Sequence, residues 1–350
     1  MRVGLVGLGM MGSAHLTNYI KMKENGEGAT LVAVCDVDEK KLNTGQATAG
    51  NLDQTSKGFD LSAYNLYTCM EEMIKKENLD FVDLCLPTHL HAPMAIKAME
   101  MGVNVFCEKP MARSSQACND MIEASKRTGK KLMIGHTLRY WDVYQFAKDY
   151  IDNGTFGKVT GAYFYRGGVT PIWSWENWLL RNECAGGALL DQHVHDVDTI
   201  MWMFGMPQAV SSVGKKVFPE SGYDIVSTNY IYDDMVINAQ DDWTINGDGY
   251  GFEMSYRMNF EKGALIYRGG KNFKVCPNEG KAFTPEFEGR NAYYDEILLF
   301  TELLAGTKTF DHIALLESHR DTILLAEAEE KSCDKKGELV KPGCGCGCSK

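Results

Sequence analysis

The sequence predicts an α/β protein, with a doubly wound parallel sheet over residues 1–136 and a mixed α+β domain with a largely antiparallel sheet over 137–335. Three observations carry this. Short apolar runs alternate with amphipathic helical patterns early in the chain, as do the strands and crossover helices of a parallel sheet. A glycine-rich turn follows the first run directly. From about residue 159 the pattern becomes one of longer alternating stretches, the period of strands with one buried face.

The apolar runs of the first part lie at 2–6, 31–35, 81–86, 103–107 and 131–134. Several are near-continuous and β-branched, as expected for strands covered on both faces. Helical patterns at 91–101 and 115–128 separate them, with Ser114 or Ser115 as N-cap and Gly129 as the stop of the second. The second part begins with a strand over 159–165. A loop carrying Trp173, Trp175 and Trp178 follows, then Gly186-Gly187 and one helix over 188–204. Alternating stretches at 210–218, 225–232, 236–243 and 252–267 build the sheet, and helices at 293–304 and 315–331 close the domain.

Composition narrows the function classes. At 350 residues, with 44% hydrophobic and 24% charged residues, the chain suits two globular domains. A formal charge of -11 gives no general attraction for nucleic acid or anionic membrane. No apolar run approaches the roughly 20 residues that span a bilayer. Three glycines within residues 4–9 suit a strand entering a turn and oppose a helical signal core, so a cytoplasmic protein is expected. Most of the 11 cysteines stand singly in apolar runs and are expected as buried thiols. The tail, 336–350, with Cys344, Cys346 and Cys348, is expected to be flexible, and no metal site is expected.

Gly7-Leu8-Gly9-Met10-Met11-Gly12 has the G-x-G-x-x-G spacing and sits between a strand and a helix. Such a turn presents free N–H groups at a helix N-terminus to a pyrophosphate. Asp36 falls at the end of the second strand, in the window roughly 20 residues past the last glycine where a carboxylate binds the adenosine ribose. A carboxylate there repels a 2′-phosphate, and no Arg or Lys follows until Lys40, so NAD is favoured over NADP. The next strands end at Pro87-Thr88, at Glu108-Lys109 and at His136, which topology gathers at the carboxyl edge of the sheet where ligands bind. Thr88 and His91 are expected to line the cofactor, and Glu108 to hold Lys109 or meet the nicotinamide ribose.

On a helix over 188–204, Asp191 and His195 are four apart and share one face, which Asp198 continues, while Leu190, Val194, Val197 and Met201 form an apolar stripe. A carboxylate and an imidazole on one face can position and deprotonate a substrate hydroxyl. His193 and Asp196 point elsewhere and are set aside. Trp173 and Trp178 offer indole faces to sugar rings or to the core, and His136 and Arg139 are further candidates for substrate contact.

Glu108-Lys109-Pro110 after a strand, then Gly186-Gly187-Ala188-Leu189-Leu190-Asp191 with His195 four residues on, resembles the Gfo/Idh/MocA oxidoreductases. The resemblance runs from residue 1 to about 331 and implies a Rossmann domain, an open-faced sheet domain that often mediates oligomerisation, and Lys109, Asp191 and His195 as the catalytic set. The expected activity is hydride transfer between NAD and a secondary alcohol of a polyol, cyclitol or sugar, in a homodimer or homotetramer. Some relatives instead cleave glycosidic bonds by transient oxidation with bound NAD, and others bind nucleotide as regulators without turnover.

Overall fold

A computed structural model describes residues 1–45, 58–247, 249–289 and 291–343. They divide into two compact units, one of residues 1–137 and 291–320, the other of 138–290 and 321–350.

The first unit opens with β1 (Arg2–Val6), α1 (Met10–Asn25), β2 (Thr30–Cys35), α2 (Glu39–Thr44), β3 (Asn65–Tyr67), α3 (Met70–Lys76), β4 (Phe81–Leu84), α4 (Thr88–Glu100), β5 (Asn104–Glu108), α5 (Ser115–Thr128) and β6 (Leu132–Gly135). Its sheet has the order β3-β2-β1-β4-β5-β6. Every pairing in it is parallel. That is the strand order of a dinucleotide-binding sheet, with its reversal between β1 and β4. The near-continuous apolar strands follow from burial on both faces: Val3, Leu5, Phe81, Val82, Val105 and Phe106 are all fully buried. Ser114 caps α5 by accepting the Ala117 N–H, and Gly129 ends it in a left-handed conformation, as the sequence indicates. The short β3, α2 and α3 escaped the sequence reading because their apolar residues are too few to show a period.

The second unit holds α6 (Asp142–Asp152), β7 (Val159–Gly167), α7 (Gly187–Asp191), α8 (Val194–Phe204), β8 (Ala209–Lys215), β9 (Ile225–Ile231), β10 (Val236–Asp242), β11 (Glu253–Phe260), β12 (Gly263–Tyr267) and β13 (Phe273–Pro277). Its strands run β13-β12-β11-β7-β10-β9-β8. Only the β7–β10 pairing is parallel in this sheet. One face packs the aromatic and aliphatic core of Tyr144, Phe164, Val197, Ile200, Tyr230, Met258 and Leu325. The alternating stretch over 252–267 is a hairpin of β11 and β12 turning at Glu261 and Lys262.

Two further expectations change. The 188–204 helix is two helices. Ala188 C=O accepts both the Gln192 and the His193 N–H, and the ladder restarts with Asp196 and Val197 on His193 C=O. Nor is 137–335 one uninterrupted domain. The chain returns to the first unit with α9 (Ala292–Ala305) and the start of α10 (His312–Asp334), whose remainder belongs to the second. Apolar contact explains the return, since Phe300 meets Phe81 edge-on at 5.2 Å and lies 5.8 Å from Phe106.

Candidate active site

The glycine turn leaves β1 and enters α1 as its spacing indicates. Gly7 has φ of 92°, and a Cβ there would stand 2.3 Å from Cys85 C=O; a Cβ on Gly12 would stand 1.9 Å from Gly7 C=O. No side chain fits at either position, so the turn can form only with glycine. Around Gly9 the space is open, with nothing within 4 Å of where a Cβ would stand. Met10 and Met11 are half-buried in the first turn of α1. The buried hydroxyls of Ser13 on α1 and Thr88 at the start of α4 have no hydrogen-bond partner among the described residues. Open space at Gly9 beside a helix N-terminus, with unspent polar groups on the same elements, fits a dinucleotide.

Asp36 follows β2 directly. Its Oδ2 accepts the Leu8 N–H at 2.7 Å, which ties the glycine turn to the strand end. Its Oδ1 accepts the Asp38 N–H at 2.9 Å, and Lys41 Nζ on α2 lies 3.3 Å from Oδ2. The Lys41 pair is a contact that sequence reasoning missed, because it depends on the start of α2.

At the other strand ends the candidate side chains are buried or half-buried. Lys109 is half-buried and joined to Pro110 by a cis peptide. Glu108 points inward. Its Oε2 accepts the Lys109 N–H at 3.0 Å and its Oε1 meets His15 Nε2 at 3.0 Å. His91, expected beside the cofactor, is a buried strut whose ring nitrogens lie 2.7 Å from Pro110 C=O and 2.8 Å from Leu86 C=O. Burial holds its pKa below the usual value although both carbonyls oppose that. Pro87 caps α4 without a side-chain bond. His136 is buried and stacks on His319 of α10, with ring centroids 4.5 Å apart.

In the second unit, Gly186 and Gly187 both have positive φ, and a Cβ on Gly187 would stand 2.7 Å from the Tyr223 backbone. This close approach lets Leu189 N–H bond Tyr223 C=O and sets the direction of α7. From residue 184 to 200 every residue is buried except Asp191 and His195. Their exposure does not come from a shared helix face, as the sequence suggested, because Asp191 ends α7 and His195 belongs to α8. Three buried polar anchors hold the junction. Gln192 Nε2 donates to Asp241 at 3.0 Å, His193 Nε2 lies 3.0 Å from Glu329, and Asp196 takes Arg166 at 3.0 and 3.1 Å. His193 and Asp196, set aside from sequence, therefore support the two half-buried groups. Burial works against charge on His193, yet Glu329 beside it raises its pKa overall. Arg139 spends its guanidinium on Asp198, with two bonds of 2.8 Å, and Thr322 donates to the same carboxylate. Asp198 is buried and does not extend the exposed pair. Trp173 and Trp178 are half-buried and Trp175 is 47% exposed, so none is a core residue. The terminal Cys344, Cys346 and Cys348 lie outside the described residues.

Residues 1–136 match the model of the "oxidoreductase family, NAD-binding Rossmann fold", and residues 144–265 match that of the "GFO/IDH/MocA C-terminal domain". A 2,7-anhydro-N-acetylneuraminate hydratase of Mediterraneibacter gnavus is 33% identical over 214 residues, 61% of this chain and 52% of the relative. A levoglucosan dehydrogenase of Pseudarthrobacter phenanthrenivorans is 29% identical over 226 residues, 63% of this chain and 55% of the relative. The chain thus spans about half the length of the curated relatives it matches. Among solved structures, a levoglucosan dehydrogenase in complex with NADH and levoglucosan superposes with a TM-score of 0.79 at 20% identity, covering 98% of this chain and 99% of that one. No described helix is long and apolar enough to cross a membrane. With both of its domain models matched in order along the chain, the protein belongs to the Gfo/Idh/MocA oxidoreductase family.

Proposed function

We propose that the protein is a dehydrogenase of a sugar, cyclitol or polyol that uses NAD in preference to NADP. The observation that carries the reading is that Asp191 and His195 alone are half-buried within the otherwise buried stretch 184–200, in a chain whose first unit fits a dinucleotide. A nicotinamide dinucleotide bound along Gly7–Gly12, Asp36 and Thr88 supplies the hydride acceptor. The remaining work is proton handling and orientation. His195 takes the proton from the substrate hydroxyl, a task suited to an imidazole of ordinary pKa about 6.5. Lys109 stabilises the developing alkoxide as a cation, and Asp191 accepts a hydrogen bond from a neighbouring hydroxyl. Trp173 and Trp178 offer apolar ring faces to a sugar. Arg139 and His136 are buried and serve as support. Assembly into a dimer or tetramer is part of the proposal, and light scattering of the purified protein tests it.

The test of the site separates binding from chemistry. Lys109→Met and His195→Ala should each slow alcohol oxidation by something like 10²–10⁴-fold, the scale of a lost acid–base or charge-stabilising group, while NADH affinity stays within a few fold. A loss of NADH binding as large as the loss of turnover refutes the assignment. The hydratase among the relatives favours a second reading, in which bond cleavage on an anhydro sugar or glycoside yields no net oxidation.

A further inference from the structure

We propose that His15 is the positioning residue for Lys109, tying the dinucleotide helix α1 to the end of β5 through Glu108. The inference rests on the catalytic role proposed above for Lys109. His15 stands three residues after Gly12, one turn into α1, and is fully buried. Its Nδ1 lies 2.8 Å from Asp83 Oδ2 on β4 and its Nε2 lies 3.0 Å from Glu108 Oε1 on β5. Tyr19, one turn further along α1, donates to the same Asp83 oxygen at 2.7 Å. The other Glu108 oxygen accepts the Lys109 N–H. A continuous buried chain therefore runs from Tyr19 through Asp83, His15 and Glu108 to the backbone of Lys109.

A ring whose two nitrogens both face carboxylates donates from both, and is a cation. Burial opposes that charge, and Asp83 with Cys85 outweighs it, so the pKa of His15 stands well above its usual value. The groups facing the ring are Asp83 from β4, Cys85 just beyond it, Glu108 from β5, and Glu296 with the Tyr293 ring from α9, and Tyr19 of α1 reaches it through Asp83. Burial, with Glu108 close by, pushes the Glu296 pKa well up and disfavours its charged form, and Asp83 and Glu108 are the carboxylates that meet the two His15 nitrogens. A metal ion is a poor occupant of His15, Glu108 and Glu296, since both ring nitrogens are already engaged. Apolar residues would fill this space at lower cost, because buried charges are expensive to desolvate. What the ionic chain adds is direction. It fixes Glu108, whose carboxylate holds the first residue beyond β5, and it does so from the helix that receives the pyrophosphate.

The test follows the Lys109 amine itself. Lysines of the full chain are dimethylated with ¹³C-formaldehyde, and the Lys109 signal is identified by its loss in Lys109→Met. In His15→Gln and in Glu108→Gln the Lys109 signal should move and its titration midpoint should shift by roughly half a pH unit or more, while distant lysines stay in place. With a substrate in hand, kcat should fall about tenfold to hundredfold, the cost of misplacing a catalytic group, with NADH affinity and substrate KM within about threefold. A Lys109 signal unmoved in both variants, with only the melting temperature lowered, overturns the proposal. Should a variant fail to fold, nitrogen NMR of His15 in the unaltered protein decides, and a neutral ring at pH 7 overturns it. If Lys109→Met keeps full turnover while the signal still moves in the His15 variant, the catalytic reading of Lys109 fails and the positioning stands.

Discussion

Asp36, the residue proposed to meet the adenosine ribose, has part of its hydrogen-bonding capacity already used. Leu8 and Asp38 hold it from the backbone, and Lys41 lies against the same oxygen that Leu8 engages. The pair is 22% and 6% exposed, so solvent screens Lys41 only in part. At this separation, with an effective dielectric near that of a protein surface, a charge pair is worth on the order of a few kcal/mol before screening and less after it. In the proposed cofactor site Lys41 therefore weakens the rejection of a 2′-phosphate that Asp36 alone would give. Removing it should sharpen the choice: Lys41→Ala is expected to raise the NADH-over-NADPH affinity ratio by about three- to tenfold, and Asp36→Ser to lower it. Fluorescence titration of both cofactors measures this without any substrate. Tighter binding of NADPH than of NADH by the unaltered protein refutes the role given to Asp36. The position of Asp36 was legible because a strand end at fixed spacing is a local signal. Lys41 was not, because its reach depends on where α2 begins.

At the scale of elements, the junction of α7 and α8 shows where periodicity stops being informative. The stripe of Leu190, Val194, Val197 and Met201 continues across the break, so the pattern reads as one helix. The break is held by Asp241, Glu329 and Arg166, whose distance along the chain hides them from a reading by spacing. The same blindness set His193 and Asp196 aside. Arg166 and Asp196 are both buried and doubly bonded, and losing one partner leaves the other charged and unsolvated. Arg166→Met should therefore lower stability by about 3–5 kcal/mol in denaturant unfolding, whereas loss of a surface pair costs under about 1 kcal/mol. A change no larger than the surface figure contradicts the anchoring role. The glycine turn, by contrast, was fully legible, since the approach of Gly12 to Gly7 C=O follows from the motif itself.

Over the whole molecule, the two sheet types followed from the sequence, and the strand orders and the chain path did not. The return of α9 to the first unit rests on Phe300 meeting Phe81 and Phe106, a contact that no local pattern encodes. The return also brings Glu296 beside Glu108 and His15, with consequences for stability. The native Glu296 keeps a proton that the unfolded chain releases above its ordinary value of 4.5, so each rise in pH favours the unfolded chain until the native group ionises too. Glu108, His15, Asp83 and Tyr19 face it. His15 acts in the same sense, its contribution being complete below about 6.5 and lost as pH rises through its raised value. Glu296→Gln should match the parent in melting temperature near pH 4 and exceed it increasingly toward pH 8. A gap that is constant across this range refutes a protonated Glu296.

The reaction class is decided most directly by following NADH and product together in the purified protein. Polyols, cyclitols, sugars, an anhydro sugar and nitrophenyl glycosides are offered with NAD. The expected result is NADH accumulating in step with oxidation of one alcohol, at a rate that rises with pH as His195 loses its proton and that flattens in His195→Ala. Repeated turnover of an anhydro sugar or glycoside without added NAD, with no alcohol yielding NADH, contradicts it.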